Sequence, residues 1–141
     1  MKNTGTVFQV SIYDIINIMS SIICDIDGTL LRNGDEPIAH TITWLNNHYS
    51  KYTIIIVTGR NQSTRQETVR ELKQADIRYN RLIMNPGSTA DTAEYKYNTG
   101  KKYKPILAID DNPTMRRAYE RAGVKAVSPS ELSDNMLKIF Y

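Results

Sequence analysis

The chain has 141 residues, 40% hydrophobic and 23% charged, with 7 Gly and 5 Pro, a profile that excludes a disordered or collagen-like polymer and fits one compact domain. Its single cysteine, Cys24, excludes an intrachain disulfide and a thiolate zinc cluster, which points to a reducing compartment and a cytoplasmic location. The net charge is +3, but fourteen Lys/Arg stand against eight acids between Arg60 and Lys125, so this segment alone carries +6, which suits an anionic partner, although ordinary solvated helix faces are the commoner reason for such a count.

Residues 1–20 form an N-terminal extension without an assigned role. Val7, Gln9 and Ser11 alternate with Phe8, Val10 and Ile12, as in an added edge strand, and an unstructured leader fits equally well. Tyr13, Asp14 and Asn17 interrupt any signal-peptide pattern, and no run approaches the roughly 18 apolar residues of a membrane span. From residue 21 to 141 the pattern is regular. Ser21–Asp27 reads as a buried strand that delivers two aspartates at its carboxyl end, with Gly28-Thr29 as the exit turn.

A helix is expected next, with Pro37 in its first turn and Ile38, Ile42 and Leu45 at helical spacing. Thr53–Val57 is a continuous β-branched run ending at Thr58-Gly59-Arg60, the pattern of a strand covered on both faces. Ser63 and Gln66 suggest a capping box for a helix toward Ala75, and Leu82–Met84 is a short third strand. Pro105–Asp111 is a fourth strand. Asn112-Pro113 opens a helix that closes at Gly123, Val124–Val127 is a fifth strand, and Ser130–Lys138 is a candidate last helix. Strands alternating with helices predict an α/β, Rossmann-like domain: a five-stranded parallel sheet with helices on both faces.

Ligands of such sheets bind beyond the carboxyl ends of the strands, and here those ends carry Asp25, Asp27, Thr58, Asp110 and Asp111. Converging carboxylates need a cation, and an oxygen-only donor set without His or Cys suits Mg2+. Asp25-x-Asp27 places two carboxylates two residues apart, on one face if the strand persists. One can attack and the other shuttle a proton, and an attacking aspartate forms an acyl-phosphate that water then hydrolyses. Attack on a phosphate also needs a hydroxyl such as Thr58 and an ammonium such as Lys96.

Asp25-Ile26-Asp27-Gly28-Thr29-Leu30 matches the DxDGT signature of the haloacid dehalogenase superfamily, Val57-Thr58-Gly59-Arg60 resembles its second motif, and Ala108-Ile109-Asp110-Asp111 its acidic fourth motif. The run from about Ile22 to Val127 is similar to the phosphatase domain of bifunctional polynucleotide kinase 3′-phosphatases. The resemblance implies that Asp25 is the nucleophile, Asp27 the general acid/base, and Thr58 and a lysine the phosphate binders. It also implies that Asp25, the Asp27 backbone carbonyl, Asp110 and Asp111 form the magnesium side. Lys96 fits the lysine, because Asp91–Lys96 resembles the third motif; Lys101, Lys102 and Lys104 are the alternatives, and together with Gly59 and Arg60 they are candidate substrate-binding residues.

No GxxxxGK[ST] loop occurs in these residues, so a stand-alone phosphatase domain without a kinase half is expected, and Asn112 stands where polynucleotide phosphatases often carry arginine. Residues 31–52 and 85–104 are too short to hold a cap domain, which favours a site open to a chain end. The expected activity is therefore removal of terminal phosphate, most simply 3′-phosphate, from DNA or RNA ends, a step in nucleic acid repair. A phosphatase for small phosphate esters, nucleotides or phosphoprotein is the alternative, and an inactive basic nucleic-acid-binding module is a third reading that the intact Asp25 and Asp27 disfavour. The sequence leaves open a homo-oligomer and a separate kinase or ligase working on the same end, and gives no sign of a membrane partner.

Overall fold

The computed structural model of the chain describes residues 20–87 and 91–137. Five strands, β1 (Ser21–Cys24), β4 (Thr53–Asn61), β5 (Arg81–Asn85), β6 (Leu107–Ile109) and β7 (Ala126–Val127), form a parallel sheet in the order β5-β4-β1-β6-β7. Four α-helices lie among the described residues: α1 (Ala39–His48), α2 (Arg65–Gln74), α3 (Thr92–Tyr103) and α4 (Pro113–Arg121). None is long and apolar enough to cross a membrane.

The two faces of the sheet explain the unbroken apolar runs. Ile22, Cys24, Ile54, Ile56, Leu107 and Ile109 pack with Ile42, Trp44 and Leu45 of α1 and Leu72 of α2. The intervening residues Ile23, Ile55, Val57 and Ala108 pack on the other face with Tyr119 of α4, against which Tyr95 and Tyr103 of α3 also rest. Each central strand is thus buried on both sides, and hydrophobic alternation disappears from the sequence.

Parity then fixes where the next polar residues point. Asp25 shares a face with Ile23, and Asp110 with Ala108, so both leave the sheet on the α3/α4 side. The ladder continues one residue past the strands, with the Asp25 amide donating to the Ile109 carbonyl at 3.0 Å and the Asp110 amide to Val127 at 3.1 Å.

Three local expectations differ from the structure. Pro37 is in a strand, not a helix: β2 (Leu31–Arg32) and β3 (Glu36–Pro37) form a small antiparallel hairpin, turned by Asn33 at φ 53° and Gly34 at φ 93°, and α1 starts only at Ala39. An Asn-Gly pair favours such a turn because both residues tolerate positive φ. The Ser63/Gln66 capping box does not form. Asn61 Oδ1 accepts the Ser63 amide at 2.8 Å instead, heading one 3-10 turn (Gln62–Thr64) before α2. Beyond β7 the chain makes a 3-10 turn at Pro129–Glu131 rather than a helix, since Ser133, Asp134 and Asn135 favour turns, and Lys138 lies outside the described residues. The strand considered for Val7–Ile12 lies outside them too. The hairpin aside, the described residues of 31–52 and 85–104 hold no inserted domain.

Candidate active site

At the carboxyl edge of the sheet an open cavity of about 230 Å3 is lined by Asp25, Asp27, Gly59, Arg60, Thr92, Lys96, Asp110, Asp111, Asn112 and Met115. Its centre is an ion-paired group. Lys96, in the second turn of α3 and only 3% exposed, donates through Nζ to Asp25 Oδ1 at 2.9 Å and to Asp110 Oδ2 at 2.6 Å. The helix is aimed at the site by its cap, where Asp91 Oδ1 accepts the Glu94 amide at 3.0 Å. Lys101, Lys102 and Lys104 do not reach the cavity. They follow along the last turn and C-cap of α3, about 8 to 12 Å farther along the helix axis at 1.5 Å per residue.

The Asp25 carboxylate is completed by Thr29, whose hydroxyl stands 3.2 Å from Asp25 Oδ2 and 3.1 Å from Asp111 Oδ1 and accepts the Asp111 amide at 3.1 Å. Asp110 Oδ1 accepts the Asn112 amide at 3.0 Å, and Arg116 Nη1 holds the Asp110 carbonyl at 2.9 Å. Asn112 also heads α4, accepting the Thr114 amide at 2.8 Å. Oxygen atoms of Asp25, Asp110 and Asp111 lie within 4.8 Å of one another, an all-carboxylate donor set of the kind hard divalent cations take. The Asp27 carboxylate is outside this group.

Three acids against one lysine leave the charge uncompensated. Burial pushes the Asp25 carboxyl up to about 7; Lys96 works against the rise, and the neighbouring charges of Asp110 and Asp111 add to it. Burial alone would lower the Lys96 ammonium, but Asp25 and Asp110 outweigh it and hold its pKa above the usual lysine range.

Asp27 is not placed beside Asp25 by strand alternation. The Ile26 carbonyl accepts the amides of Thr29, Leu30 and Leu31 at 3.0, 2.8 and 3.0 Å, so the chain turns tightly straight after β1. Gly28 sits in that turn at φ +83°, where a Cβ would collide with the Asp111 carboxylate. The turn carries the Asp27 side chain outward, 55% exposed, to Arg60.

Arg60 is the main revision to the expected substrate-binding set, because none of its five N–H groups is left for a ligand. Nε and Nη2 grip Asp27 Oδ2 and Oδ1 at 3.0 and 2.8 Å, Nη2 also reaches the Gly34 carbonyl at 3.1 Å, and Nη1 holds Thr68 Oγ1 at 3.2 Å and Glu71 Oε1 at 2.7 Å. The guanidinium pKa is raised, first by the bonds to Asp27. Arg60 therefore ties Asp27, the hairpin tip and α2 into one unit. Thr68 and Glu71, three residues apart on α2, were the available sequence signal for this clamp. Thr58, the residue before Gly59, is buried, and its Oγ1 accepts the Arg60 amide at 3.1 Å.

A family model described as haloacid dehalogenase-like hydrolase matches residues 22–106. The chain belongs to that family. No curated protein matches it. Among solved structures, a chain of a Pnkp1/Rnl/Hen1 RNA repair complex superposes with a TM-score of 0.62 at 21% identity, over 77% of this chain and 42% of that one. A second structure of the Pnkp1/Rnl/Hen1 complex gives 0.68 at 18% identity, over 79% and 46%. A haloacid dehalogenase-like family hydrolase from Streptococcus pneumoniae gives 0.56 at 13% identity, over 79% and 84%. The chain thus spans less than half the length of the two repair-complex chains, and at these identities all three likenesses are likenesses of fold.

Proposed function

We propose that the protein is a Mg2+-dependent phosphatase working through an aspartyl-phosphate on Asp25, and that its substrate is a terminal phosphate, in the first place a 3′-phosphate, on DNA or RNA. The observation that carries the reading is the convergence of buried Asp25 with Lys96, Asp110 and Asp111 at an open sheet edge of a haloacid dehalogenase-like chain. Asp25, Asp110 and Asp111 fit magnesium as a hard oxygen donor set, joined by the Asp27 carbonyl as the family resemblance implies. Bound there, the metal supplies positive charge against which an anionic carboxylate can approach an anionic phosphate.

The chain's own residues do the rest. A carboxylate oxygen of Asp25 forms the bond to phosphorus as the bond to the leaving oxygen breaks, and Asp27 gives that oxygen its proton. In the second half Asp27 takes a proton from water, the water oxygen attacks phosphorus, and Asp25 leaves with its carboxylate restored. Arg60 grips both Asp27 oxygens, but each keeps a lone pair that can carry the proton given to the leaving oxygen and taken back from water, so the clamp orients the group without blocking it. Lys96 spends two of three N–H bonds on Asp25 and Asp110, which leaves the third for a phosphoryl oxygen. Thr58 accepts the Arg60 amide and keeps its own proton to donate.

Two supports favour a chain end as substrate. Among the described residues no cap covers the cavity, and its volume of about 230 Å3 suits a phosphate with little else, leaving the remainder of a substrate outside. The fold likeness to chains of RNA repair complexes agrees with this choice. The test is a side-by-side assay on 3′-phosphorylated oligonucleotide, 5′-phosphorylated oligonucleotide and p-nitrophenyl phosphate, each with Mg2+ and with EDTA. The expected result is Mg2+-dependent turnover, fastest on the 3′-phosphorylated strand. EDTA-insensitive turnover overturns the metal, and a 3′-phosphorylated strand no better than a nucleoside monophosphate overturns the substrate.

A further inference from the structure

The seam between α3 and α4 begins at the mouth of the catalytic cavity. Thr92 on α3 and Met115 on α4 line the cavity itself, and their neighbours Ala93 and Thr114 line a second concavity of about 400 Å3 together with Arg117, Glu120 and Arg121. Farther along, Lys101, Lys104 and residues 122–124 line a third of about 260 Å3. Both helices follow parallel strands, so both run from the site toward the opposite edge of the sheet. Arg117 and Arg121 are four apart and share a helix face. Tyr97 of α3 meets Arg121 across the seam, with Arg121 Cζ 5.4 Å and Lys101 Nζ 5.6 Å from its ring centre.

The charges along this seam differ from those of the site. Asp25, Asp27, Asp110, Lys96 and Arg60 are all ion-paired, but among the described residues no carboxylate pairs with Lys101, Lys104, Arg117 or Arg121, and all four are exposed. Glu120 is the acid in the lining and leaves the row cationic. Among the described residues the hydrogen bond that Arg117 makes through its guanidinium is from Nη2 to Thr114 Oγ1, at 3.3 Å. Lys102 is not part of the row, as it lines neither concavity, and Arg116 is tied to the Asp110 carbonyl. A line of uncompensated cations leading away from a phosphate-sized cavity matches a flexible chain that carries one negative charge at each repeat and ends in the group that enters the cavity.

We propose that the α3/α4 seam is the binding track for the sugar–phosphate backbone of a single-stranded nucleic acid whose terminal phosphate occupies the Asp25 cavity, with Arg117 and Arg121 contacting the first phosphodiesters inward from that end. The proposal rests on the phosphatase reading above for which end of the strand is engaged, but the binding itself does not require turnover.

The test pairs binding with catalysis. Fluorescence anisotropy of a labelled single-stranded octanucleotide bearing a 3′-phosphate is measured without Mg2+ for the wild-type protein and for the double variant Arg117→Gln/Arg121→Gln. Hydrolysis of p-nitrophenyl phosphate is measured in parallel with Mg2+. The double variant is expected to bind the octanucleotide at least tenfold more weakly at low salt, and its slope of log affinity against log salt should be shallower by about 1.4, since each single-strand phosphate contact contributes about 0.7. Hydrolysis of the small ester should be unchanged, because it reaches neither arginine. Equal binding by the two proteins, an unchanged salt slope, or tighter binding of a phosphoserine peptide than of the octanucleotide overturns the track. Loss of strand binding in the double variant, with no wild-type hydrolysis of any phosphate ester, upholds the track and overturns the phosphatase reading instead.

Discussion

Replacing Asp25 by asparagine should make the metal-free protein more stable relative to wild type as the pH rises, while abolishing its activity. The carboxyl is pushed from 3.8 to about 7 by its burial. A carboxyl whose folded pKa is raised binds protons more tightly in the folded state, so its ionisation opposes folding progressively between the two values and fully above about 7. With 1.36 kcal/mol for each unit, the folded wild type loses about 3 kcal/mol from this group between pH 5 and pH 8. Asparagine has nearly the same shape and never ionises. The stability difference, variant minus wild type, should therefore grow by about that amount over the same interval in EDTA, whatever constant offset the lost Lys96 and Thr29 contacts impose. Urea unfolding of both proteins at pH 5, 6, 7 and 8 measures it. A difference that is flat with pH, or that shifts in favour of wild type, would show that Asp25 is not held as a strained carboxylate and would refute the reasoning. Adding Mg2+ at pH 8 should close the gap by stabilising only the wild type.

Lys96→Met acts in the opposite direction, leaving Asp25 and Asp110 buried without their cation; it should cost about 3–5 kcal/mol at pH 8 and less at pH 5, by urea unfolding, where Asp25 takes up a proton instead. Arg60→Lys keeps the charge but loses the two-pronged grip on Asp27, so kcat for p-nitrophenyl phosphate should fall about 10- to 100-fold with KM nearly constant. A rise in KM at constant kcat would instead make Arg60 a substrate contact. Gly28→Ala forces a side chain into positive φ and against the Asp111 carboxylate, and should cost about 1–3 kcal/mol in thermal unfolding and raise the Mg2+ concentration needed for half-maximal activity.

What could be read from the sequence was whatever local pattern determines. The central strands β1, β4 and β6 stood out because burial on both faces leaves continuous apolar runs, and Asn112-Pro113 and Gly123 marked the ends of α4 through capping chemistry alone. Asp25, Asp110 and Lys96 were legible because strand ends and a helix start are themselves legible, and the fold brings those ends together. The hairpin escaped because two-residue strands carry no periodicity, although Asn33-Gly34 was its visible signal. The pairing of Arg60 with Asp27, 33 positions away, could not be read locally. Nor could the separation of Lys101, Lys102 and Lys104 from the site, which follows only once α3 is known to run away from the sheet edge as one continuous helix.

In the proposed reaction a phosphoryl group passes through the Asp25 carboxylate. Rapid acid quenching of the protein during Mg2+-supported turnover of p-nitrophenyl phosphate, followed by mass spectrometry of its peptides, tests this directly. A base-labile phosphoryl group is expected on the peptide that carries Asp25, absent with EDTA and absent from Asp25→Asn, which should also show no turnover. A phosphoryl group on any other residue, or continued turnover by Asp25→Asn, would contradict it.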